Sequence, residues 1–383
     1  MTKCTVISID EALSLGQKHN FYQWLLERHH SDLRESSKIV LYCLNEQINP
    51  LLQLDFFRYL LPAVVKLSND FKLQKPSLLL NLSISHVKSK HKVTDFFDII
   101  EIEPFRLYTY FQNNFNKDYT VSPLDAVPLS EKYLCKFGKF NRDHSVLIFS
   151  LLKESNLLDE SKGLWSLAFS DDDEFKESMN SVCHPIRDDY LNYQRTLDID
   201  FTDHFQNGTL HYTGFPFEKS HYSDTRFSIV RETNWGVQNE LFMSEKTWIP
   251  ISMKHPFMLF SIQAQANYLR KSGYQSPDNF EMCNLSEHFT NFADAKEMFL
   301  KCYNKFLSTP ISELQQIVDH NFDLYISDVK KDINKLMVPI TPVNRFDNVN
   351  NLLELALNIH YPNTDKQPLN SNFDFDAIRQ AFS

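Results

Sequence analysis

With 383 residues, the chain is long enough to fold as two domains of about 100 to 200 residues each. Its 42% hydrophobic and 23% charged residues exclude a wholly disordered, collagen-like or coiled-coil chain. The net charge of -10 argues against a broad nonspecific DNA-binding surface, because neutralising phosphates requires clustered Lys and Arg. Glycine is scarce, at 7 residues where about 7% of a chain is usual, and neither GxGxxG nor GxxxxGK[ST] occurs. Any phosphate site must therefore use side chains and helix ends.

The cysteines and the apolar runs bear on the compartment. Six cysteines occur singly without a CxxC pair, which favours reduced, buried thiols over a disulfide framework or a zinc site. The first residues lack an apolar core of signal-peptide length, and no run approaches the ~18 apolar residues of a membrane span. We expect a cytoplasmic protein without a membrane span.

The first predicted domain covers residues 1–128. Its apolar strands are continuous, as in a parallel sheet that is covered on both faces. The predicted elements are a helix containing Phe21 and Trp24, a strand over 38–44, a helix over 56–67 and a strand over 77–82. Two prolines within residues 121–129 mark the predicted linker.

The second predicted domain covers residues 129–383 and alternates strands with helices. The predicted elements are strands over 133–137, 164–169, 226–232 and 256–260, helices over 143–156, 244–253 and 264–272, and a helical tail from Phe292. Gly273 stands at the expected end of the helix over 264–272. This alternation predicts an α/β fold in which parallel sheets are flanked by helices.

One stretch combines acidic and basic side chains with a helix start. A buried strand ends at Glu232, and after a loop a helix opens with Ser244 as its N-cap and with Glu245 and Lys246 in its first turn. Carboxyl edges of parallel strands bind ligands, helix N-termini and Lys bind anions such as a diphosphate, and a carboxylate accepts ribose hydroxyls. From spacing alone, charges that serve only the helix dipole and solvent are the simpler interpretation. Pro250 predicts that this helix kinks or ends early.

The same stretch resembles the donor-binding motif of alpha-1,3-fucosyltransferases and their GT-B relatives. The matching residues are Phe227, Glu232, Phe242, Ser244, Glu245, Lys246 and Pro256. It is more similar still to a group of glycosyltransferases from phages and marine bacteria, through Val230 to Thr233, Ser244 to Thr247, Pro250 and His255 to Phe257. A second block, from Tyr133 to His144, resembles the segment that begins the carboxyl-terminal domain of that group.

This resemblance implies a GT-B-like pair of Rossmann-like domains and a nucleotide-sugar donor, with no metal or other cofactor required. The second domain would bind the donor and the first domain the acceptor. By the resemblance, Lys246 and Arg142, supported by Lys139, hold the diphosphate, Ser244 caps the donor-binding helix, Glu245 holds the ribose, and Glu232 faces the sugar or phosphate from the strand end.

Two departures from the pattern limit what it implies. Glu232 and Glu245 are 13 residues apart, more than in fucosyltransferases, so sugar specificity does not carry over. Ser145 stands where the phage-type pattern has its second Arg, which leaves one positive charge fewer for the diphosphate.

Glycosyl transfer also needs a general base that takes the proton of the acceptor hydroxyl. Besides Glu232, Glu46 follows the strand over 38–44 and His86 follows the strand over 77–82. A structural or solvent-exposed role is the simpler interpretation of both. The acceptor is open between a hydroxymethylated DNA base, a surface glycan and a protein, and a phage-encoded enzyme would act in the host cytoplasm.

Two alternatives stand beside this hypothesis. Asp171 to Asp173 form an acidic run of the kind that binds Mg²⁺ or Mn²⁺ in GT-A transferases, although a solvated acidic loop is the simpler interpretation. The missing charge at Ser145 also suits a binding or structural protein that keeps the fold without turnover.

Overall fold

The computed structural model describes residues 3–9, 12, 20–43, 56–81, 93–115, 122–139, 143–159, 161–168, 219–232, 241, 243–284 and 291–337. These residues form two compact units. The first contains residues 3–115, 241 and 327–337, and the second contains the other described residues from 122 to 326. The predicted domains, 1–128 and 129–383, stay a prediction.

The first unit is built on a sheet of four parallel strands in the order β1-β2-β3-β4. The strands are β1 (Lys3–Ser8), β2 (Ser36–Cys43), β3 (Ser77–Asn81) and β4 (Asp98–Ile102). The helices are α1 (Phe21–Glu35), α2 (Leu61–Asp70, preceded by a π-helical turn, Phe56–Leu60), α3 (Val93–Phe96) and α4 (Pro104–Phe115). The pairing register places Leu41 beside Leu78 and Leu79 beside Ile100.

The core of the first unit lies on one face of this sheet. Alternate strand residues share a face, so Ile39 and Leu41 of β2 point the same way. They belong to one buried cluster with Leu25 of α1 and with Val64 and Leu67 of α2. Both helices that connect the first three strands therefore pack on the same face.

A buried ion pair fixes helix α4. The Arg106 guanidinium donates to Asp328 at 3.1 Å and to Asp332 at 2.5 Å. The Asp332 carboxylate also accepts the backbone N–H of Glu103, just before α4. Arg106 and Asp332 are almost fully buried, so their charges need compensation inside the protein, which they give each other together with Asp328 and Lys335.

The second unit contains a sheet of four parallel strands in the order β6-β5-β7-β8. The strands are β5 (Tyr133–Lys139), β6 (Gly163–Ala168), β7 (Phe227–Arg231) and β8 (Phe257–Phe260). The helices are α5 (Asp143–Glu154), α6 (Lys219–Ser223), α7 (Glu245–Ser252), α8 (Gln263–Lys271), a 3₁₀ turn (Glu281–Asn284), α9 (Phe292–Ser308) and α10 (Ile311–Met337), whose residues from Ser327 belong to the first unit.

Both faces of the second sheet are covered by helices. Tyr133 and Cys135 of β5 point to the face that packs against α5 and α9, in a cluster with Leu151 and Phe299. Leu134 points to the opposite face and packs with Ile249 and Met253 at α7. The helices that follow β5 and β7 thus lie on opposite faces.

One glycine of the second sheet is required by packing. A Cβ at Gly163, the first residue of β6, would collide with the ring of Tyr133. That ring is fully buried, and its hydroxyl donates to the Leu157 carbonyl at 2.8 Å. The ring therefore has no room to move aside.

The α/β fold class predicted from the sequence is confirmed as two parallel sheets flanked by helices, with a helical carboxyl-terminal part up to Met337. The predicted strands over 38–44, 77–82, 133–137, 164–169, 226–232 and 256–260 are all present within one to two residues. Strands β1 and β4 and helix α4 were not predicted. Among the described helices, none combines the length and the apolar character that a bilayer crossing requires.

Candidate functional site

The second sheet reverses its direction of growth at β5. β5 comes first in the chain, β6 pairs with one of its edges and β7 pairs with the other. The chain therefore leaves β5 and its neighbour β7 in opposite directions. This opens a crevice outside the carboxyl ends of these two central strands, which is where open α/β sheets bind ligands. Lys139 ends β5 and Glu232 follows β7, so both predicted site residues stand at this edge.

Helix α7 begins as predicted beside this crevice. Ser244 is its N-cap, with an extended backbone and a hydroxyl oxygen that accepts the N–H of Lys246 at 3.3 Å. Glu245 and Lys246 are half-buried in the first turn. Pro250 lies inside the helix, which ends two residues later at Ser252, because proline has no N–H to offer the carbonyl of Lys246.

The Glu232 carboxylate is fully buried against the start of α7. It accepts the backbone N–H of Ser244 at 3.1 Å, the Ser244 hydroxyl at 2.6 Å and the Thr247 hydroxyl. Its negative charge also lies at the positive end of the helix dipole. Glu232 was expected to face a sugar or a phosphate, but the structure places its carboxylate on three donors of α7, where it fixes the helix to the end of β7.

A small cavity of about 50 Å³ lies between α7 and the sheet. Two lysines on the α7 side line it, Lys136 from β5 and Lys246 from α7. Arg231 also lines it at the end of β7, but strand alternation with Phe227 and Ile229 puts its side chain on the opposite face, beside Cys135. The remaining lining is Leu134, Tyr222, Ser228, Ile229, Val230, Ile249 and Pro250. No acidic residue is among these described lining residues, so the local potential favours an anion.

Lys136 and Arg231 were missed by the sequence analysis. Both lie in strands that were predicted from apolar runs, and a cationic residue at the end of such a run is the signal that could have identified them. The Lys136 ammonium lies 5.1 Å from the centre of the Tyr222 ring, a distance at which a cation is attracted to the ring face. This contact holds Lys136 on the α7 side of the sheet.

His255, from the His255-Pro256-Phe257 motif, contacts Ser228, one of the residues that line the cavity. Its Nε2 lies 2.8 Å from the Thr225 carbonyl and its Nδ1 lies 2.9 Å from the Ser228 hydroxyl. Burial lowers the pKa of His255 to about 4, against the opposing hydrogen bond to Thr225. The ring is therefore neutral near pH 7, with Nε2–H donating to Thr225 and Nδ1 accepting from Ser228. It positions β7 and has no free nitrogen for proton transfer.

The described thiols are not nucleophiles. Cys135, Cys283 and Cys302 are free and buried. Burial raises the pKa of each of these thiols, so all three stay protonated near neutral pH. They serve as apolar core residues, as the sequence analysis predicted for its isolated cysteines.

Several predicted site residues lie outside the described part of the chain. These are Glu46, His86, Arg142 and the acidic run Asp171 to Asp173. The backbone of Lys139 is described as the end of β5, whereas its side chain lies outside the described part. Within the described ranges, no group of three or more His, Cys, Asp or Glu side chains is arranged to hold a metal ion.

The described site thus consists of a sheet reversal, a capped helix start and a small cationic cavity. The first two arise from β5, β7 and α7, and Lys136 and Lys246 supply the charge of the cavity. Searches for related proteins found no match to this chain among protein-family models, curated proteins or solved structures.

Proposed function

We propose that this protein is a glycosyltransferase that moves a sugar from a nucleotide-sugar donor to an acceptor hydroxyl. In this proposal the two units are Rossmann-like domains of a GT-B arrangement, and the second binds the donor. The observation that carries the proposal is the cavity lined by the two lysines Lys136 and Lys246 beside the sheet reversal. A diphosphate is the part of a nucleotide sugar that such a cavity attracts.

The cations also suit the chemistry of transfer. As the glycosidic bond to the donor breaks, negative charge develops on the leaving diphosphate, and fixed positive groups stabilise it. Lys136 and Lys246 supply that charge in this proposal without a metal ion or other cofactor. By resemblance, Arg142 and Lys139 add to it, and Glu245 accepts the ribose hydroxyls.

Glu232 then acts as a positioning residue. Its carboxylate holds Ser244 and Thr247, and thereby keeps Lys246 at the sheet edge. Because both oxygens of the Glu232 carboxylate already accept hydrogen bonds from Ser244 and Thr247, Glu46 is the remaining carboxylate proposed as the general base. The proposed acceptor is a hydroxymethylated DNA base, a glycan or a protein, in the cytoplasm, or in the host cytoplasm if the protein is phage-encoded.

The test is donor binding and turnover by matched lysine variants. A panel of nucleotide sugars is assayed for release of the nucleoside diphosphate, and binding of each diphosphate is measured by thermal shift, since a ligand of the folded form raises Tm. Lys246→Met should weaken diphosphate binding by about tenfold or more, equivalent to one lost charge-assisted hydrogen bond. Lys271→Met, an exposed lysine at the end of α8, is the control and should change neither quantity.

Two results would overturn the proposal. One is a wild-type protein whose Tm no diphosphate or nucleotide sugar raises. The other is an equal response of Lys246→Met and Lys271→Met. Turnover that requires Mn²⁺ and stops with a chelator would instead favour the GT-A alternative with Asp171 to Asp173.

A nucleotide-binding protein without turnover is the second candidate. The observation in its favour is the engagement of Glu232, which removes one of the two proposed catalytic carboxylates from the reacting centre. This candidate predicts diphosphate binding that depends on Lys246 but no diphosphate release from any donor. Release of diphosphate from a nucleotide sugar, lost in Lys246→Met, would exclude it.

A further inference from the structure

Four buried polar atoms without hydrogen-bond partners surround the start of α8. They are the hydroxyl of Ser261, the side-chain carbonyl of Gln263, and both polar atoms of the Gln265 amide. Ser261 and Gln265 are fully buried. A buried polar group without a partner is costly, and each such group in a native structure calls for an explanation. Their concentration indicates a place where a polar group of another molecule completes the hydrogen bonds.

The backbone at this helix start points to the same place. The N-cap of α8 is Ile262, which forms no side-chain cap hydrogen bond. The first N–H groups of the helix, at Gln263 and Ala264, therefore receive no side-chain acceptor from the cap. Helical side chains lean toward the helix N-terminus, which brings the Gln265 amide over this first turn. Backbone donors and orphaned side chains thus share one end of the helix.

The mixture of donors and acceptors decides what kind of group fits. A phosphate accepts hydrogen bonds only and would be repelled by the carbonyl oxygens of Gln263 and Gln265. A primary amide offers a donor and an acceptor side by side, in either orientation of its oxygen and nitrogen. Its complement is a neutral planar edge that also carries a donor next to an acceptor, as a nucleobase does.

This helix start lies on the same sheet edge as the cationic cavity. Ser261 directly follows Phe260, which is the register partner of the cavity residue Arg231. The backbone N–H of Glu232 donates to the Phe260 carbonyl at 3.0 Å, so pairing of the two strands continues to their ends. The paired ends of β7 and β8, from which the cavity and the start of α8 follow, are neighbouring strands about 4.8 Å apart.

We propose that the start of α8, through Ser261 and Gln265, binds the nucleobase of the donor nucleotide and sets which base is accepted. This inference rests on the proposed function, because the diphosphate bound at Lys136 and Lys246 is what brings a nucleobase to the adjacent strand end.

The experiment separates the base from the phosphates. Affinities of UDP, CDP, GDP, ADP and inorganic pyrophosphate are measured by titration calorimetry for the wild type and for Gln265→Leu, which keeps the side chain's size and removes both polar atoms. The wild type should prefer one base. Gln265→Leu should bind that diphosphate about tenfold more weakly, as expected for one lost base-reading amide, and should bind pyrophosphate unchanged.

Two further variants complete the test. Ser261→Ala removes only a hydroxyl and should reduce the same base preference, which keeps the proposal testable if Gln265→Leu does not fold. Gln316→Leu, at an exposed position of α10, is the matched control and should leave every affinity unchanged.

The outcomes distinguish this inference from the proposed function. If pyrophosphate and the diphosphates bind but the wild type shows no base preference, only the inference is wrong. The same holds if Gln265→Leu raises Tm and keeps the wild-type base preference, because the unpartnered amide would then only destabilise the fold. If the wild type binds neither pyrophosphate nor any diphosphate, the proposed function is wrong and the inference with it.

Discussion

The two sheets of this protein contain the same number of parallel strands but differ in strand order. In the first, β1-β2-β3-β4, every strand is added on the same side, and α1 and α2 pack on one face. In the second, β6-β5-β7-β8, growth reverses at β5, and α5 and α7 lie on opposite faces. Because ligand crevices open at such reversals, we expect the ligand site at the second sheet among the described strands.

The two units also differ in how their charged side chains are arranged. Arg106 in the first unit is neutralised by Asp328 and Asp332, an arrangement that stabilises structure and attracts no ion. In the second unit, Lys136 and Lys246 line one cavity whose described lining contains no acid. The first arrangement holds helices in place, whereas two lysines that line one cavity suit the anion proposed above.

The largest expected effect breaks the compensated pair. Arg106→Ala removes the buried cation of two carboxylates, one of them fully buried, and leaves them only the more exposed Lys331 and Lys335; it should lower the free energy of unfolding by about 3 kcal/mol. Urea denaturation followed by circular dichroism measures this loss. Lys331→Ala removes the exposed partner of Asp328 and should cost about 1 kcal/mol or less. Equal losses in the two variants would contradict a structural role for the buried pair.

The next effect tests Glu232 as a positioning residue of the second unit. Glu232→Gln puts an amide N–H₂ group among three hydrogen-bond donors and should lower the free energy of unfolding by about 2 to 3 kcal/mol. Asp224→Asn, at an exposed position before β7, should change it by less than about 0.5 kcal/mol. Unchanged stability of Glu232→Gln in urea would show that the carboxylate is not needed to fix α7.

The smallest effect is a pH dependence of the second unit through His255. The pKa of His255 is lowered to about 4 in the folded protein, so its contribution to stability is fully present above the unfolded value of 6.5. It is lost as pH falls from there toward about 4, because the unfolded state takes up the proton first. Between pH 7 and pH 5 the loss should be about 2 kcal/mol.

The matched variant for this effect is His255→Gln, which retains hydrogen-bonding capacity toward Ser228 and Thr225 but does not titrate. Its free energy of unfolding should fall less than that of the wild type over the same pH range, by about the 2 kcal/mol assigned to His255. Parallel pH profiles for the two proteins, measured by urea denaturation, would mean that the buried imidazole does not control this dependence.

Much of the fold could be predicted because its central strands are continuous apolar runs. The strands β2, β3, β5, β7 and β8 are buried on both faces, and their sequences show it. The strands that were missed, β1 (Lys3–Ser8) and β4 (Asp98–Ile102), lie at the two edges of the first sheet and mix polar with apolar residues. Pairing with a central strand, rather than their own composition, makes them strands.

The candidate site was predicted less completely. Ser244, Glu245 and Lys246 were found because an N-cap followed by charges is a local signal. Lys136 was missed because it is far from Lys246 in sequence and lines the same cavity only when β5 pairs with β7. Nothing in the local sequence marked Gln265, because whether a buried amide has hydrogen-bond partners depends on all the groups packed around it.

The sequence by itself determined the local structure: the capped start of α7, its early end after Pro250, and the end of α8 at Gly273, whose φ of 90° suits a residue without a side chain. These depend on hydrogen bonds and backbone preferences within a few residues. Only the tertiary structure decided the order of the strands, the engagement of Glu232 and the meeting of Lys136 with Lys246. Those depend on which distant segments pair, and the energy of that pairing is spread over the whole core.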